Sequence, residues 1–200
     1  MAVAGPLLPA NLKCPDNTID SRYGSRLYRS KLNSGLFDRI VMGQDVSVNS
    51  WKWITQFGTC GASLIAQRWA ITAAHCCNPS VLGKQVTFGT LKFSGEGDFT
   101  QTVKIVDFHM HSGFVRTTFE NDICLLQLSQ NVASNVDISP VCLPQERLPD
   151  SFIGTCFIAG WGVLAEGTDE IPEILQEAEV AYVKHQTCQS IFQKVRRLTF

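Results

Sequence analysis

The sequence predicts an all-β protein. Short apolar or alternating runs recur from Ile40 onward, and clusters of Gly, Pro, Asn and Ser separate them. Two such clusters are Asn78-Pro79-Ser80 and Ser94-Gly95-Glu96-Gly97. Many short strands with frequent turn signals are typical of a β-barrel or a β-sandwich. The 200 residues, 44% of them apolar, can form one large β domain or two small ones.

Six segments carry the strand pattern, either alternating or continuously apolar. They are Ala62–Ile65, Trp69–Ala73, Gln85–Phe88, Gln101–Val106, Ile123–Leu128 and Thr155–Ala159. Residues 1–39 show little periodicity and are rich in Pro, Asn, Ser and basic residues, which predicts an irregular leader. Residues 129–155 contain Pro140, Pro144 and Pro149 and favour a connector. A helical pattern lies late in the chain, at Lys184–Gln193.

Composition and charge exclude several classes of protein. The formal net charge is −1 and the sequence pI is about 6.4, so the chain lacks the basic footprint of a nucleic-acid-binding protein. The apolar content argues against a disordered, solvating chain. No stretch reaches the ~18 consecutive apolar residues of a transmembrane helix. We therefore expect neither a nucleic acid nor a membrane as a partner.

The cysteine pattern predicts disulfides in a secreted, extracellular protein. The chain has an even number of cysteines, which are spread out and never form a Cys-x-x-Cys motif. Buried free thiols in a cytosolic protein are the alternative. Met1–Ala10 has no basic segment, and Pro6 and Pro9 break its apolar run, so it does not have the pattern of a signal peptide. One explanation is that Met1 is an internal residue.

Two short motifs carry the residues suited to catalysis. Trp69-Ala70-Ile71-Thr72-Ala73-Ala74-His75-Cys76 places a histidine at the end of an apolar run. Joining Cys60 to Cys76 would clamp this strand and contribute roughly 3 kcal/mol. Asn121-Asp122-Ile123 places an acid at the head of another apolar run, where an unpaired buried charge would be costly. Asp122 therefore needs a partner.

These motifs resemble those of the trypsin/chymotrypsin-like serine proteases. Ala73-Ala74-His75-Cys76 resembles the motif around the general base of that family, and Asn121-Asp122-Ile123 resembles the motif around the acid that orients it. Pro140-Val141-Cys142-Leu143-Pro144 and Gly160-Trp161-Gly162 resemble two further landmarks. The resemblance implies two antiparallel β-barrels of the six-stranded type, the first at about 40–140. The second, at about 141–200, would be incomplete. It also implies catalytic roles for His75 and Asp122, with Cys76 as the partner of Cys60.

The leader resembles an activation segment. Arg39-Ile40-Val41-Met42-Gly43 is similar to the site where members of this family are cut after a basic residue, which places the cleavage between Arg39 and Ile40. Met42 departs from the usual glycine. By the same resemblance, Cys14 pairs with Cys142 and retains the leader after cleavage. The resemblance implies protein or peptide substrates, an activating protease and protein inhibitors as partners, and no cofactor or metal.

The resemblance fails at the nucleophile. No Gly-Asp-Ser-Gly-Gly or Gly-x-Ser-x-Gly occurs in the 200 residues. The catalytic serine, the amides of the oxyanion hole and the specificity pocket are therefore missing. The sequence is interpreted as an incomplete record of a zymogen-activated serine endopeptidase. The alternatives are a non-catalytic, truncated homologue that acts as a binding module or decoy, and a truncated chain that does not fold stably.

Four cysteines have no assigned partner. By resemblance, Cys156 and Cys188 would pair with cysteines further along the chain. Cys77 and Cys124 have no obvious family partner, and Cys124 is interpreted as a buried, inert thiol.

Overall fold

The fold is described by a computed structural model for residues 44–47, 50–143, 155–164, 170–181, 183 and 186–191. The described residues fall into two compact units. Residues 50–143 belong to the first, and residues 44–47 belong to the second together with those from 155 onward. In the described part of the chain, no helix has the length and apolar character needed to cross a membrane.

The described residues contain nine strands. In chain order they are β1 (Gln44–Asp45), β2 (Ile54–Phe57), β3 (Cys60–Ala66), β4 (Trp69–Thr72), β5 (Gln85–Phe88), β6 (Gln101–Met110), β7 (Cys124–Leu128), β8 (Thr155–Gly160) and β9 (Gln176–Ala181). Two short 3₁₀ helices, Ala74–Cys76 and Pro79–Val81, lie between β4 and β5. Residues 186–191 are helical, within the predicted helix. The prediction of an all-β fold is confirmed.

The first unit is a six-stranded antiparallel sheet in the order β2-β3-β4-β7-β6-β5. The register of β3 shifts between Leu64 and Ala66, and that of β6 shifts between Ile105 and Asp107, as at β-bulges that bend a sheet. The two end strands meet through a side chain, because the Thr55 hydroxyl on β2 donates to the Thr87 carbonyl on β5 at 2.6 Å. The sheet thus curls into a near-closed barrel.

The core of the first unit follows from alternation along its strands. In β7, Cys124, Leu126 and Leu128 are buried, while the residues between them are partly exposed. Because successive side chains point to opposite faces of a strand, this pattern buries one face. The largest fully buried side chains of the unit are Leu64, Ile65, Val81, Val86, Phe88, Ile105, Leu126, Leu128, Val132, Ile138 and Thr55. This packed interior supports the end of β4 and the start of β7.

The second unit contains a three-stranded antiparallel sheet in the order β1-β9-β8. Gln44 pairs with Glu177 and Asp45 with Gln176. The Gln176 side-chain amide donates to Asp45 Oδ1 at 2.7 Å, and the Val46 N–H donates to the Leu175 carbonyl at 3.1 Å. Residues 44–47 are therefore held on the sheet of the second unit, although they precede β2 in the chain.

Candidate active site

The pairing of β4 with β7 creates the site. Thr72, the last residue of β4, lies opposite Cys124, the first residue of β7. The chain leaves β4 into the 3₁₀ helix Ala74–Cys76, which carries His75, and it enters β7 two residues after Asp122. Because antiparallel neighbours place the end of one strand beside the start of the next, the register brings the two residues together.

Asp122 binds His75 through both of its carboxylate oxygens. The His75 backbone N–H donates to Oδ1 at 2.8 Å, and His75 Nδ1 lies 2.6 Å from Oδ2. An ionised carboxylate can only accept hydrogen bonds, so Nδ1 carries the proton in this contact. The acceptor lone pair of the neutral imidazole then lies on Nε2. The His75 side chain is 45% exposed and that of Asp122 is 21% exposed, so the ring is accessible to a second reactant.

Asp122 is held in its charged form. Burial acts to raise the pKa of its carboxyl group, but the hydrogen bonds from the His75 side chain and backbone outweigh it. The charge of His75 and the Ala74 backbone N–H act in the same direction, so the pKa of Asp122 falls below its ordinary value of 3.8. At neutral pH the histidine therefore has a fixed anionic partner.

A strained turn leads into the acid. Phe119 and Asn121 adopt left-handed backbone conformations, with φ of 56° and 55°. Asparagine tolerates this region and its side-chain amide donates to the Gly113 carbonyl at 2.9 Å. Phenylalanine is less suited to it, at a cost of order 1–3 kcal/mol. The strained Phe119 places its ring edge-to-face with His75, at a centroid distance of 5.5 Å and an interplanar angle of 82°.

Comparison with known proteins identifies the family. The family model for trypsin matches residues 40–199. This chain belongs to the trypsin family. The match covers both units, and the six-stranded near-barrel and the His75–Asp122 pair both lie within it.

Individual relatives agree with this assignment. The trypsin-family chain is 33% identical over 137 residues to coagulation factor XII of Rattus norvegicus, in an alignment that covers 66% of this chain and 23% of that protein. It is 32% identical over 134 residues to transmembrane protease serine 9 of Rattus norvegicus, covering 66% of this chain and 13% of the relative. The alignments thus span less than a quarter of either relative.

A solved structure shares the fold. The structure of GrC superposes with a TM-score of 0.67 at 26% identity, covering 78% of this chain and 70% of that chain. The trypsin-like fold that the sequence predicted is therefore confirmed.

Two disulfides flank the histidine of this trypsin-family chain. Cys76, the residue after His75, is bonded to Cys60 at the start of β3. The next residue, Cys77, is bonded to Cys124 at the start of β7. The interpretation of Cys124 as a buried, inert thiol is therefore wrong. The register of β4 and β7 places Cys124 beside the chain that leaves the 3₁₀ helix, within reach of Cys77.

A possible ligand set near the histidine is already engaged. Ligand atoms of Cys60, His75 and Cys76 lie within 4.8 Å of one another. Both sulfur atoms belong to one disulfide, whereas zinc binds thiolate sulfur. In its oxidised form this group does not offer the donors of a zinc site.

The remaining predicted residues are only partly described. Cys142 is half-buried and disulfide-bonded. Cys14, Arg39 and Ile40 lie outside the described residues, so the predicted pairing of Cys14 with Cys142 and the predicted cleavage site remain predictions. Cys156 and Cys188 are free thiols.

Proposed function

We propose that this chain forms part of a serine endopeptidase in which His75 is the general base and Asp122 orients it. The observation that carries the proposal is the pair of hydrogen bonds from His75 to Asp122, with Nδ1 and Oδ2 only 2.6 Å apart. A histidine held this way presents Nε2 as its basic atom. Membership of the trypsin family supports the same roles.

The proposed reaction is hydrolysis of a peptide bond in a protein or peptide substrate. His75 Nε2 takes the proton from a serine hydroxyl as the oxygen attacks the carbonyl carbon, and later gives that proton to the leaving amine. Asp122 keeps the other nitrogen protonated and stabilises the imidazolium that forms in between. No Gly-Asp-Ser-Gly-Gly motif occurs in the 200 residues, so the nucleophile is not supplied by the family's usual motif within them.

Activation and location extend the proposal. Cleavage after Arg39 by an activating protease would free the amino group of Ile40, and a Cys14–Cys142 bond would keep the leader attached. The disulfides Cys60–Cys76 and Cys77–Cys124 favour an oxidising compartment, and hence a secreted protein that meets extracellular substrates and protein inhibitors.

A fluorophosphonate probe tests the proposal on the natural gene product. We expect rapid labelling of the activated protein and a labelling rate lower by on the order of 10⁶-fold in the variant His75→Ala. His109→Ala is the matched control, because His109 is 47% exposed and also lies beside an aspartate, Asp107, at 3.6 Å. Equal labelling of wild type and His75→Ala would contradict the proposed base.

The absent serine motif favours a second candidate, a non-catalytic homologue that acts as a binding module or decoy. The two candidates differ in the endogenous protein. A serine endopeptidase predicts an unmodified polypeptide mass above the 22.1 kDa of these residues, together with labelling by the probe. The decoy predicts no labelling at any stage of activation. In both cases the purified 200-residue chain is expected not to hydrolyse peptides.

A further inference from the structure

The Cys77–Cys124 disulfide joins the two chain segments that carry His75 and Asp122. Cys77 follows His75 by two residues, and Cys124 follows Asp122 by two residues. The separation of 47 residues is therefore the same for the disulfide and for the hydrogen-bonded pair. Cys77 is 0% exposed and Cys124 is 1% exposed, so the bridge lies in the packed core, whereas the His75 side chain is exposed.

We propose that Cys77 and Cys124 are positioning residues, whose disulfide holds the backbone of His75 in register with that of Asp122. This inference rests on the proposed function and deepens it. Neither sulfur would touch a substrate. The bridge acts through the short chain segments that separate it from the two functional residues, each with a single intervening residue, Cys76 or Ile123.

The second bridge near the histidine cannot have this effect. In the sheet, β4 lies between β3 and β7. The Cys60–Cys76 bond ties the histidine turn to β3, on one side of β4. The Cys77–Cys124 bond ties the same turn to β7, on the other side, where Asp122 lies. Cys76 and Cys77 thus link the histidine turn to the strands on opposite sides of β4. Of these two bonds, only Cys77–Cys124 constrains the segment that carries Asp122.

Without this bridge, noncovalent contacts would hold the two segments together at this point. They include the ladder pair Thr72–Cys124 and the hydrogen bonds between His75 and Asp122. The turn that carries Asp122 is itself strained at Phe119 and Asn121. Strained backbone persists only where the surrounding structure determines it, and a covalent bond two residues further along supplies such a constraint.

The test compares two double variants of the oxidised 200-residue chain. The first is Cys77→Ala with Cys124→Ala, and the matched control is Cys60→Ala with Cys76→Ala. The readout is the low-field ¹H NMR resonance of the His75 Nδ1 proton and its exchange rate with solvent, measured at equal intervals below the melting temperature of each variant. This readout needs no catalytic serine. A negative result for the positioning role can therefore be distinguished from a lack of protease activity.

We expect proton exchange to accelerate by about tenfold or more in the first variant, and by less than about threefold in the control. Equal acceleration in both variants, or none in the first, would overturn the proposal. If the first variant does not fold, Cys77→Ala with Cys124→Val refills part of the buried space and is subject to the same expectation. If that variant also fails to fold while the control folds, the bridge serves the whole fold and the positioning role is rejected.

Discussion

Asp122 accepts two hydrogen bonds from a single residue, His75, one on each carboxylate oxygen. The His75 backbone N–H donates to Oδ1 and the ring Nδ1–H donates to Oδ2. The two contacts fix the orientation of the carboxylate plane relative to the imidazole ring. The backbone N–H can only donate, so whatever side chain stands at position 122 must present an acceptor atom to it.

The first prediction concerns the variant Asp122→Asn. The His75 backbone N–H will bind the amide oxygen, which leaves the amide NH₂ group facing Nδ1. The imidazole must then accept at Nδ1 and carry its proton on Nε2, the reverse of the wild-type tautomer. Long-range ¹H–¹⁵N correlation spectra of the neutral histidine will show the change. A proton that remains on Nδ1 would contradict the assignment of the two oxygens.

The second prediction concerns pH and stability. The hydrogen bonds from His75 lower the pKa of Asp122 below 3.8 in the folded state, against the effect of burial. Between the folded and unfolded pKa values the unfolded chain binds more protons, so stability falls as the pH falls. The contribution of Asp122 is present above about pH 3.8 and is lost as the pH drops through the folded value.

Urea unfolding from about pH 6 to about pH 2 measures this contribution. We expect the free energy of unfolding to fall more steeply in the wild type than in Asp122→Asn below about pH 4. Other carboxyl groups titrate alike in both proteins, so the difference between the curves isolates Asp122. Parallel curves would show that the pair does not stabilise the charged carboxylate.

The third prediction concerns the closure of the near-barrel. Thr55 is 1% exposed, and its hydroxyl donates to the Thr87 carbonyl at 2.6 Å across the two end strands. Thr55→Val keeps the shape of the side chain and removes the donor, at a cost of about 1–3 kcal/mol in the free energy of unfolding. Thr102→Val is the control. Its hydroxyl bonds to that of Thr87 at the exposed surface, at 2.9 Å, and we expect less than about 0.5 kcal/mol.

The fourth prediction concerns a glycine packed against the core. Gly89 has a φ of +83°, and an added Cβ would lie 2.8 Å from Ile138 Cγ1 and 2.9 Å from the Phe99 carbonyl oxygen. Ile138 is fully buried, so a shift of its side chain must disturb its neighbours in the core. Gly83 has a similar φ of +80°, with no atom within 4 Å of an added Cβ. We expect Gly89→Ala to destabilise the protein by about 1–3 kcal/mol more than Gly83→Ala in urea unfolding. Equal losses would mean that strain alone determines the effect.

The alternation of apolar residues predicted every strand of the first unit except β2. Gln85–Phe88 matches β5 in both bounds, and Trp69–Ala73 differs from β4 by one residue. β2 was not predicted, because Ile54–Phe57 is only four residues long and shows too little alternation of apolar and polar residues. β9 was not predicted either, because Gln176-Glu177-Ala178-Glu179 has helix-forming residues that the sheet overrides.

The sequence singled out His75 and Asp122, but it did not predict the bond between Cys77 and Cys124. Local patterns do not specify a pairing across 47 residues, and two adjacent cysteines competed for Cys60. One signal was available. Cys77 follows His75 by two residues, and Cys124 follows Asp122 by two residues. If His75 and Asp122 are in contact, the two cysteines are therefore also brought close together. That geometry depends on the register of β4 and β7, which the sequence alone does not give.

The pairing of β1 with β9 limits how far a newly formed amino terminus at Ile40 could reach. Gln44 is anchored opposite Glu177, so a cut between Arg39 and Ile40 would leave residues 40–43 as a tether of four residues. A fully extended tether of that length spans at most about 14 Å, at roughly 3.3–3.6 Å per residue. After such a cut, any group that binds the new amino group would have to lie within hydrogen-bonding distance of the volume that this tether can reach from Gln44.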